Sequence, residues 1–344
     1  MKNIYKKILS DKIVIIAEAG VNHNGDLSLA KKLIEAAKRA GADCIKFQTY
    51  KAKELTIKKA KRFWSWSGEE KKKGTQYDSY SILDSFNFAE YKFLKKYCDK
   101  LKIEFQSTPF DSKSLSILEK LNVQTYKIAS CDITNFKLIN EIAKKNKPIF
   151  LSTGASNIYE IKEAIKIIQK YHSKIVIMHC TLCYPTKIED ANLLSILKLR
   201  ETFPKIPIGL SDHTLGVEIP LISFALGAKV VEKHFTINKK LKKSADHWLS
   251  VDEKELKKIN EYRSLVEKAL GAKDKKILKC EKLARINARR SLVANSNIKI
   301  GDTFSKFNLT TKRPGTGISA NKYFQYLNKK SKKNYKYDDI IKKQ

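Results

Sequence analysis

The sequence predicts an α/β protein, a (β/α)8 barrel followed by a small, mostly-β domain. Three observations predict it. Short continuous apolar runs recur through most of the chain, as in strands buried on both faces. Amphipathic stretches of helical period alternate with them. Polar residues gather just past the apolar runs, and in a barrel those strand ends form one rim, where active sites are built. A doubly wound open sheet is the alternative, but no glycine-rich dinucleotide loop follows the first strand.

The first apolar run, residues 13–17, ends in Glu18 and a polar, glycine-containing loop at 19–26. Leu29, Leu33, Ala36, Ala37 and Ala40 then repeat at helical spacing, with Gly41 as a stop signal. Further strands are expected at 43–48, at 103–106 (leading into Ser107-Thr108-Pro109-Phe110), at 125–130, and at 148–151, ending in Ser152-Thr153-Gly154. Ile158, Ile161, Ile165 and Ile168 mark a helix before the sixth strand, 175–178. The seventh and eighth strands, 206–210 and 228–231, lead into Ser211-Asp212-His213-Thr214 and Glu232-Lys233-His234-Phe235. A last barrel helix is expected over about 253–270.

Two parts fall outside the repeat. Residues 51–86, with Trp64, Trp66 and Tyr80, form a long aromatic insertion after the second strand, and loops of that length are commonly functional. Beyond the barrel (1–270) comes a charged linker (271–284), then a small domain (285–344) with strands expected at 290–294, 298–302 and 310–315. About 60 residues is near the lower limit for a self-sufficient core, so docking onto the barrel or a partner chain is expected.

Composition narrows the function. Hydrophobic content of 42% argues against disorder. The net charge of +33 rests on 61 lysines and only eight arginines, spread along the chain without a localised basic patch or reading motif. That distribution suits a solvated lysine-rich surface rather than a specific nucleic-acid binder. No apolar stretch reads as a signal peptide or a membrane span, so a cytoplasmic location is expected. Six cysteines in a chain of this length do not make a disulfide framework, and Cys180, at a strand end, reads as a buried thiol.

Two histidines at the ends of neighbouring strands, His213 and His234, can converge on one point, and neutral imidazole is a common ligand of divalent metals. The ordered motifs Glu18-Ala19-Gly20-Val21-Asn22-His23-Asn24-Gly25, Lys46-Phe47-Gln48, Ser107-Thr108-Pro109-Phe110, Lys127-Ile128-Ala129-Ser130, Ser152-Thr153-Gly154, the two histidine motifs and Lys312-Arg313-Pro314-Gly315 together resemble the sialic acid (nonulosonic acid) synthase family. The resemblance spans essentially the whole chain. It implies a TIM barrel with an antifreeze-like (SAF) domain in a domain-swapped homodimer. It also implies condensation of phosphoenolpyruvate with an N-acetylmannosamine-type sugar, dependent on a divalent metal such as manganese, with magnesium or cobalt as alternatives.

The resemblance implies the following roles. Glu18, Lys46, Lys127, His213 and His234 match the catalytic set, and the two histidines match the metal ligands. Asp212 and Glu232 lie near them as further or supporting ligands. Lys46, Lys127, Thr108, Ser130 and Ser152 match the phosphoenolpyruvate cradle, since lysines ending buried strands are costly unless an anion arrives. Pairing with a local carboxylate such as Glu18 is the alternative. Glu18 matches the carboxylate beside the reacting carbon, and His23 either contacts the site or braces its loop. Gln48, Tyr184 and Asp246 match positions that hold the sugar, and Arg313 one that reaches the neighbouring protomer's site.

The chain also departs from the pattern. Leu182 and Ser244-Ala245-Asp246 stand where bacterial N-acetylneuraminate synthases often carry Asn and Gly-Pro-Asp. A more apolar sugar decoration is therefore open, and legionaminate or pseudaminate synthesis from a diacetamido sugar is the alternative to N-acetylneuraminate. Two rivals remain. A 3-deoxy-sugar-phosphate synthase needs a second anion pocket, for which few rim arginines are visible. A non-catalytic carbohydrate-binding or ice-binding protein leaves the polar rim unexplained.

Overall fold

The computed structural model describes residues 3–64 and 74–343, which fall into two compact units, Met1–Gly271 and Ala272–Gln344. Trp66 lies outside the described residues.

The first unit is the expected barrel. Its parallel strands are β1 Val14–Gly20, β2 Cys44–Thr49, β3 Glu104–Pro109, β4 Tyr126–Ile128, β5 Ile149–Ser152, β6 Ile175–Cys180, β7 Ile208–Asp212 and β8 Val230–His234. They pair in the order β3-β2-β1-β8-β7-β6-β5-β4, and the β1–β8 ladder brings the last strand back to the first. The seam between β3 and β4 is bridged by side chains: Gln106 Nε2 donates to Thr125 Oγ1 at 2.9 Å, and Thr125 Oγ1 donates to Glu104 Oε1 at 2.8 Å.

Alternation along the strands decides what each residue faces. Val14, Ile16, Cys44, Phe150, Val176, Met178 and Val230 form the inner core, to which Ile4 and Ile8 of a short helix, Ile4–Leu9, also belong. That helix is tied to the strands by the Ile4 N–H, which donates to Glu104 Oε2 at 2.7 Å. The packing is tight: a Cβ on Gly209 would lie 2.3 Å from Val230 Cγ1. Residues of the same parity further along the strands are polar, so the apolar floor gives way to a charged layer within one or two steps of each strand. The opposite parity packs against the helices in the main core.

The insertion is more structured than a loop. It carries helices Ala52–Leu55 and Gln76–Ser81. Its two ends are joined where the Ala52 N–H donates to Asp84 Oδ2 at 2.8 Å and Lys51 Nζ to the Phe86 carbonyl at 3.1 Å.

In the second unit, β9 Ser291–Ala294 and β10 Leu309–Lys312 pair antiparallel over a core that includes Leu292, Phe304, Leu309, Ile318 and Ile341. The strand expected at 298–302 is absent. Ile298 makes a single bridge to Tyr335, and the chain then turns, with Gly301 at φ +89° and the Lys299 N–H donating to Asp302 Oδ2 at 2.7 Å. Among the described residues no helix is long and apolar enough to cross a membrane.

Candidate active site

The rim encloses a cavity of about 370 Å³, within the size range of small-molecule sites. Glu18, Lys46, Gln48, Thr108, Lys127, Ser130, Ser152, Tyr184, His213, Glu232, His234 and Asp246 all line it, so twelve of the expected site residues converge. Arg313 is an exposed residue of the second unit, in the bend after β10.

The floor of the cavity is a chain of alternating charge. Lys46 Nζ lies 2.6 Å from Glu18 Oε2 and 3.7 Å from Glu232 Oε1, and Lys127 Nζ lies 2.6 Å from Glu232 Oε1. Both lysines are therefore paired with local carboxylates in the ligand-free molecule, the alternative that the sequence left open. Hydroxyls extend the chain: Lys46 Nζ donates to Thr108 Oγ1 at 3.3 Å and Ser211 Oγ to Glu232 Oε1 at 2.9 Å. Gln48 Nε2 donates to Glu18 Oε1 at 3.1 Å. Gln48 thus orients Glu18 as well as facing the cavity.

The two carboxyl groups are driven apart. Burial lifts Glu18 to about 7 against the pull of Lys46, with Glu232 adding to the rise. Burial acts on Glu232 too, but Lys127 and Lys46 together outweigh it and hold that carboxyl down at about 2. Among the lysines, burial lowers Lys127, whereas Glu18 and Glu232 overcome burial and raise Lys46. A pair of carboxylates so separated can supply one permanent anion and one group that carries a proton near neutrality.

Several buried polar atoms at the cavity have no hydrogen-bond partner among the described residues: Ser152 Oγ, Glu232 Oε2 and His234 Nδ1. Burying a polar atom unpaired is costly, so these atoms point to a ligand. Next to Ser152, Ser130 Oγ accepts the Gly154 N–H at 2.9 Å; a Cβ on Gly154 would lie only 2.8 Å from that hydroxyl.

The histidine pair sits as expected on adjacent strands, ring centroids 5.5 Å apart. His213 Nδ1 lies 2.9 Å from the Thr181 carbonyl. A carbonyl only accepts, so Nδ1 carries a proton and Nε2 is the nitrogen left for a metal. Burial pulls His213 down, but Cys180 and this carbonyl raise it overall, so a metal there competes with a proton. Burial keeps His234 well below its ordinary value and hence neutral, the ligand form. Asp246 Oδ2 lies 3.6 Å from His234 Nδ1. Two imidazoles with carboxylates at hand fit a divalent transition metal. Among the described residues no group of three or more His, Cys, Asp or Glu side chains is gathered for a metal. Any metal held here would rest mainly on this pair.

One expectation is corrected, and one open alternative finds its answer. Asp212 does not support the metal site directly: it is of the opposite strand parity to Ser211 and His213, and its carboxylate meets Lys233 Nζ at 2.6 Å. His23 braces its loop. Its Nδ1 accepts the Gly25 N–H at 3.0 Å and its ring stacks on Phe86, while burial holds it down to about 3. The sequence reading also missed residues that the fold brings in. Cys180 lines the cavity with its Sγ 3.8 Å from His213 Nδ1. Leu55, Leu83 and Phe110 join Phe63, Trp64 and Tyr80 of the aromatic insertion and Leu182 to give the cavity an apolar wall. Period-two alternation along 176–180 already marked Cys180 as inward; nothing local marked Phe110.

Residues 33–275 match the NeuB family. The chain is 44% identical over 333 residues to the N,N'-diacetyllegionaminic acid synthase of Campylobacter jejuni, covering 96% of this chain and 99% of that one. It is 39% identical over 310 residues to the N,N'-diacetyllegionaminic acid synthase of Legionella pneumophila, covering 89% and 86%. Among solved structures, the N-acetylneuraminic acid (sialic acid) synthetase of Leptospira borgpetersenii is 37% identical with a TM-score of 0.71, over 79% of this chain and 90% of that chain. With the barrel, the paired histidines and the charged floor in place, the chain belongs to the NeuB family.

Proposed function

We propose that this protein condenses phosphoenolpyruvate with an N-acylated amino sugar to a nonulosonic acid, releasing phosphate by C–O cleavage. The observation that carries the reading is the floor: two fully buried ammonium groups, paired in the resting molecule with carboxylates, beside buried atoms that lack partners. An incoming phosphate and carboxylate replace those pairings with charge-assisted bonds from Lys46 and Lys127, and Thr108, Ser130 and Ser152 add hydroxyls.

The enol phosphate's C3 attacks the open-chain sugar's aldehyde carbon, whose oxygen becomes a hydroxyl. Positive charge develops at C2, where Glu232, held ionised, offers a fixed anion. Water adds to C2, its proton is lost, and the C2–O bond to phosphate breaks, leaving the 2-keto acid. Glu18 Oε, with its acidity near neutrality, is suited to give its proton to the aldehyde oxygen in the first step and, as the carboxylate so formed, to take the water's proton in the second. His213 and His234 would hold the divalent metal, which supplies Lewis acidity to the aldehyde oxygen when bound.

For the sugar we favour a 2,4-diacetamido-trideoxyhexose, which gives a legionaminate-type product. The apolar wall of Leu182, Trp64, Tyr80 and Phe110 suits a methyl and a second acetamido group better than hydroxyls. The relatives at 44% and 39% identity carry names of that kind. Gln48, Tyr184 and Asp246 would contact the sugar. A homodimer in which Arg313 reaches the partner's site, with the second unit as the antifreeze-like domain, belongs to the same reading, as does a cytoplasmic location. The carbohydrate-binding alternative gives the charged floor no task.

Phosphate release from phosphoenolpyruvate, measured with Mn2+ against a panel of N-acylated sugars, tests the proposal. Turnover is expected, fastest with the diacetamido sugar, abolished by EDTA and restored by Mn2+. No phosphate release with any sugar of the panel would sink it.

A further inference from the structure

Lys233 is a buried charged residue that the reaction does not use. Only 1% of its surface is exposed. Its neighbours in sequence, Glu232 and His234, face the cavity; Lys233, of the opposite parity, does not line it. There its ammonium spends its protons on one short segment. Nζ is 2.6 Å from Asp212 Oδ2, donates to the Thr214 carbonyl, and lies 3.4 Å from Thr214 Oγ1. Asp212 in turn accepts the Thr214 N–H at 2.9 Å and its hydroxyl at 3.1 Å.

The placement matters because of what these residues flank. Asp212 and Thr214 stand on either side of His213, and Lys233 directly precedes His234. The backbone ladder between β7 and β8 pairs Asp212 with Lys233, the last pair of its register, so main-chain bonding between these two strands ends where the two histidines begin, although each histidine carbonyl still accepts an N–H from elsewhere, Thr186 for His213 and Val251 for His234. The side-chain knot takes over at that point. Burying an ion pair confers little net stability over an apolar pair of the same volume, whereas it fixes geometry where directional bonds are made. A lysine elsewhere on this surface would serve solubility; this one is desolvated completely.

We infer that Lys233, with Asp212 and Thr214, is a positioning device that locks the two histidine-bearing strand ends to each other from behind and so preorganises the imidazole pair for its metal. The inference rests on the metal reading of His213 and His234 proposed above. Outer-layer groups of this sort commonly govern metal affinity by about 10–100-fold.

The test is Mn2+ affinity, read by electron paramagnetic resonance or calorimetry in the absence of substrates, on the full chain. Lys233→Met alone strands a buried carboxylate, so the principal variant is the double Asp212→Asn/Lys233→Met, which removes both charges and retains an acceptor for the Thr214 N–H. Its Mn2+ dissociation constant is expected to rise about 10–100-fold, while phosphoenolpyruvate affinity of the metal-free protein stays within about threefold and saturating Mn2+ restores most of kcat. Thr214→Val, which deletes only the hydroxyl, is expected to raise it by a smaller factor of about two to five, and serves if the double variant does not fold. Unchanged Mn2+ affinity in a folded variant overturns the inference and leaves the metal reading standing. Failure of the unaltered protein to bind Mn2+ at all overturns both.

Discussion

The two sides of the cavity are built differently. On the floor, Glu18, Lys46, Lys127, Glu232 and His234 are strand residues, all nearly inaccessible; each is fixed by a backbone ladder, and all but His234 also by ion pairs or hydroxyls. The wall is drawn from the insertion and from loops after the strands. There Phe63 is 83% and Leu182 37% exposed, and contacts are apolar and without direction. Chemistry needs groups held to within a fraction of an ångström, and strands supply that. Choice among sugars needs only a shaped apolar surface, which loops can vary without disturbing the floor. The floor therefore carries the reaction and the wall carries the preference.

The largest expected effect breaks the floor. Lys46→Met removes the cation that stands between Glu18 and Glu232, leaving two carboxylates to face each other and the incoming phosphate. A loss of about a thousandfold in kcat/KM for phosphoenolpyruvate is expected from steady-state phosphate release, with the fold retained by circular dichroism. Loss below tenfold would reduce Lys46 to a structural ion pair and shift the phosphate site elsewhere.

A smaller effect tests Glu18. Its carboxyl sits at about 7 in the fold against an ordinary 4.5, so the folded protein holds a proton there that the unfolded chain has released. Its contribution to stability is accordingly lost as pH rises from 4.5 towards 7. Phosphoenolpyruvate adds negative charge and draws Lys46 away, which favours the protonated carboxyl further. Binding should therefore take up a proton, and affinity should fall as pH rises through about 7, by at most about tenfold per pH unit. Calorimetry in buffers of differing ionisation heat measures the uptake. Glu18→Gln should abolish that component; an identical slope in the variant would assign the proton to another group.

Much of this was legible in the chain. The apolar runs gave eight strands because a barrel strand is buried on both faces, and the polar residues ending them gave the floor almost complete. Three things were not. The helix Ile4–Leu9 has only two buried positions, too few for a periodic signal. Phe110 reaches the cavity from the loop after β3, and no spacing reports such a placement. Lys233 reads as one more of 61 lysines, and Asp212 as a further or supporting ligand beside His213. Strict alternation from His213 and His234 would have turned both away from the cavity and towards each other. The strand expected at 298–302 failed for a local reason, the turn at Gly301 and Asp302, which a flexible glycine next to an aspartate can signal.

The smallest expected effect falls on the wall. Leu182 is partly exposed and offers no directional bond, so replacing it cannot disturb the floor. Leu182→Asn exchanges an apolar surface for an amide that favours a hydroxyl over a methyl or acyl group. The ratio of kcat/KM for the diacetamido sugar to that for N-acetylmannosamine should fall by about five- to tenfold, in line with differences of one small group in an apolar pocket. KM for phosphoenolpyruvate should move by less than about twofold, since no charge changes. Competition between the two sugars in one reaction, resolved by mass spectrometry of the products, reads the ratio directly. A substitution that altered phosphoenolpyruvate kinetics and left the sugar ratio alone would mean that floor and wall are one coupled surface, and that the preference is set by the ion pairs after all.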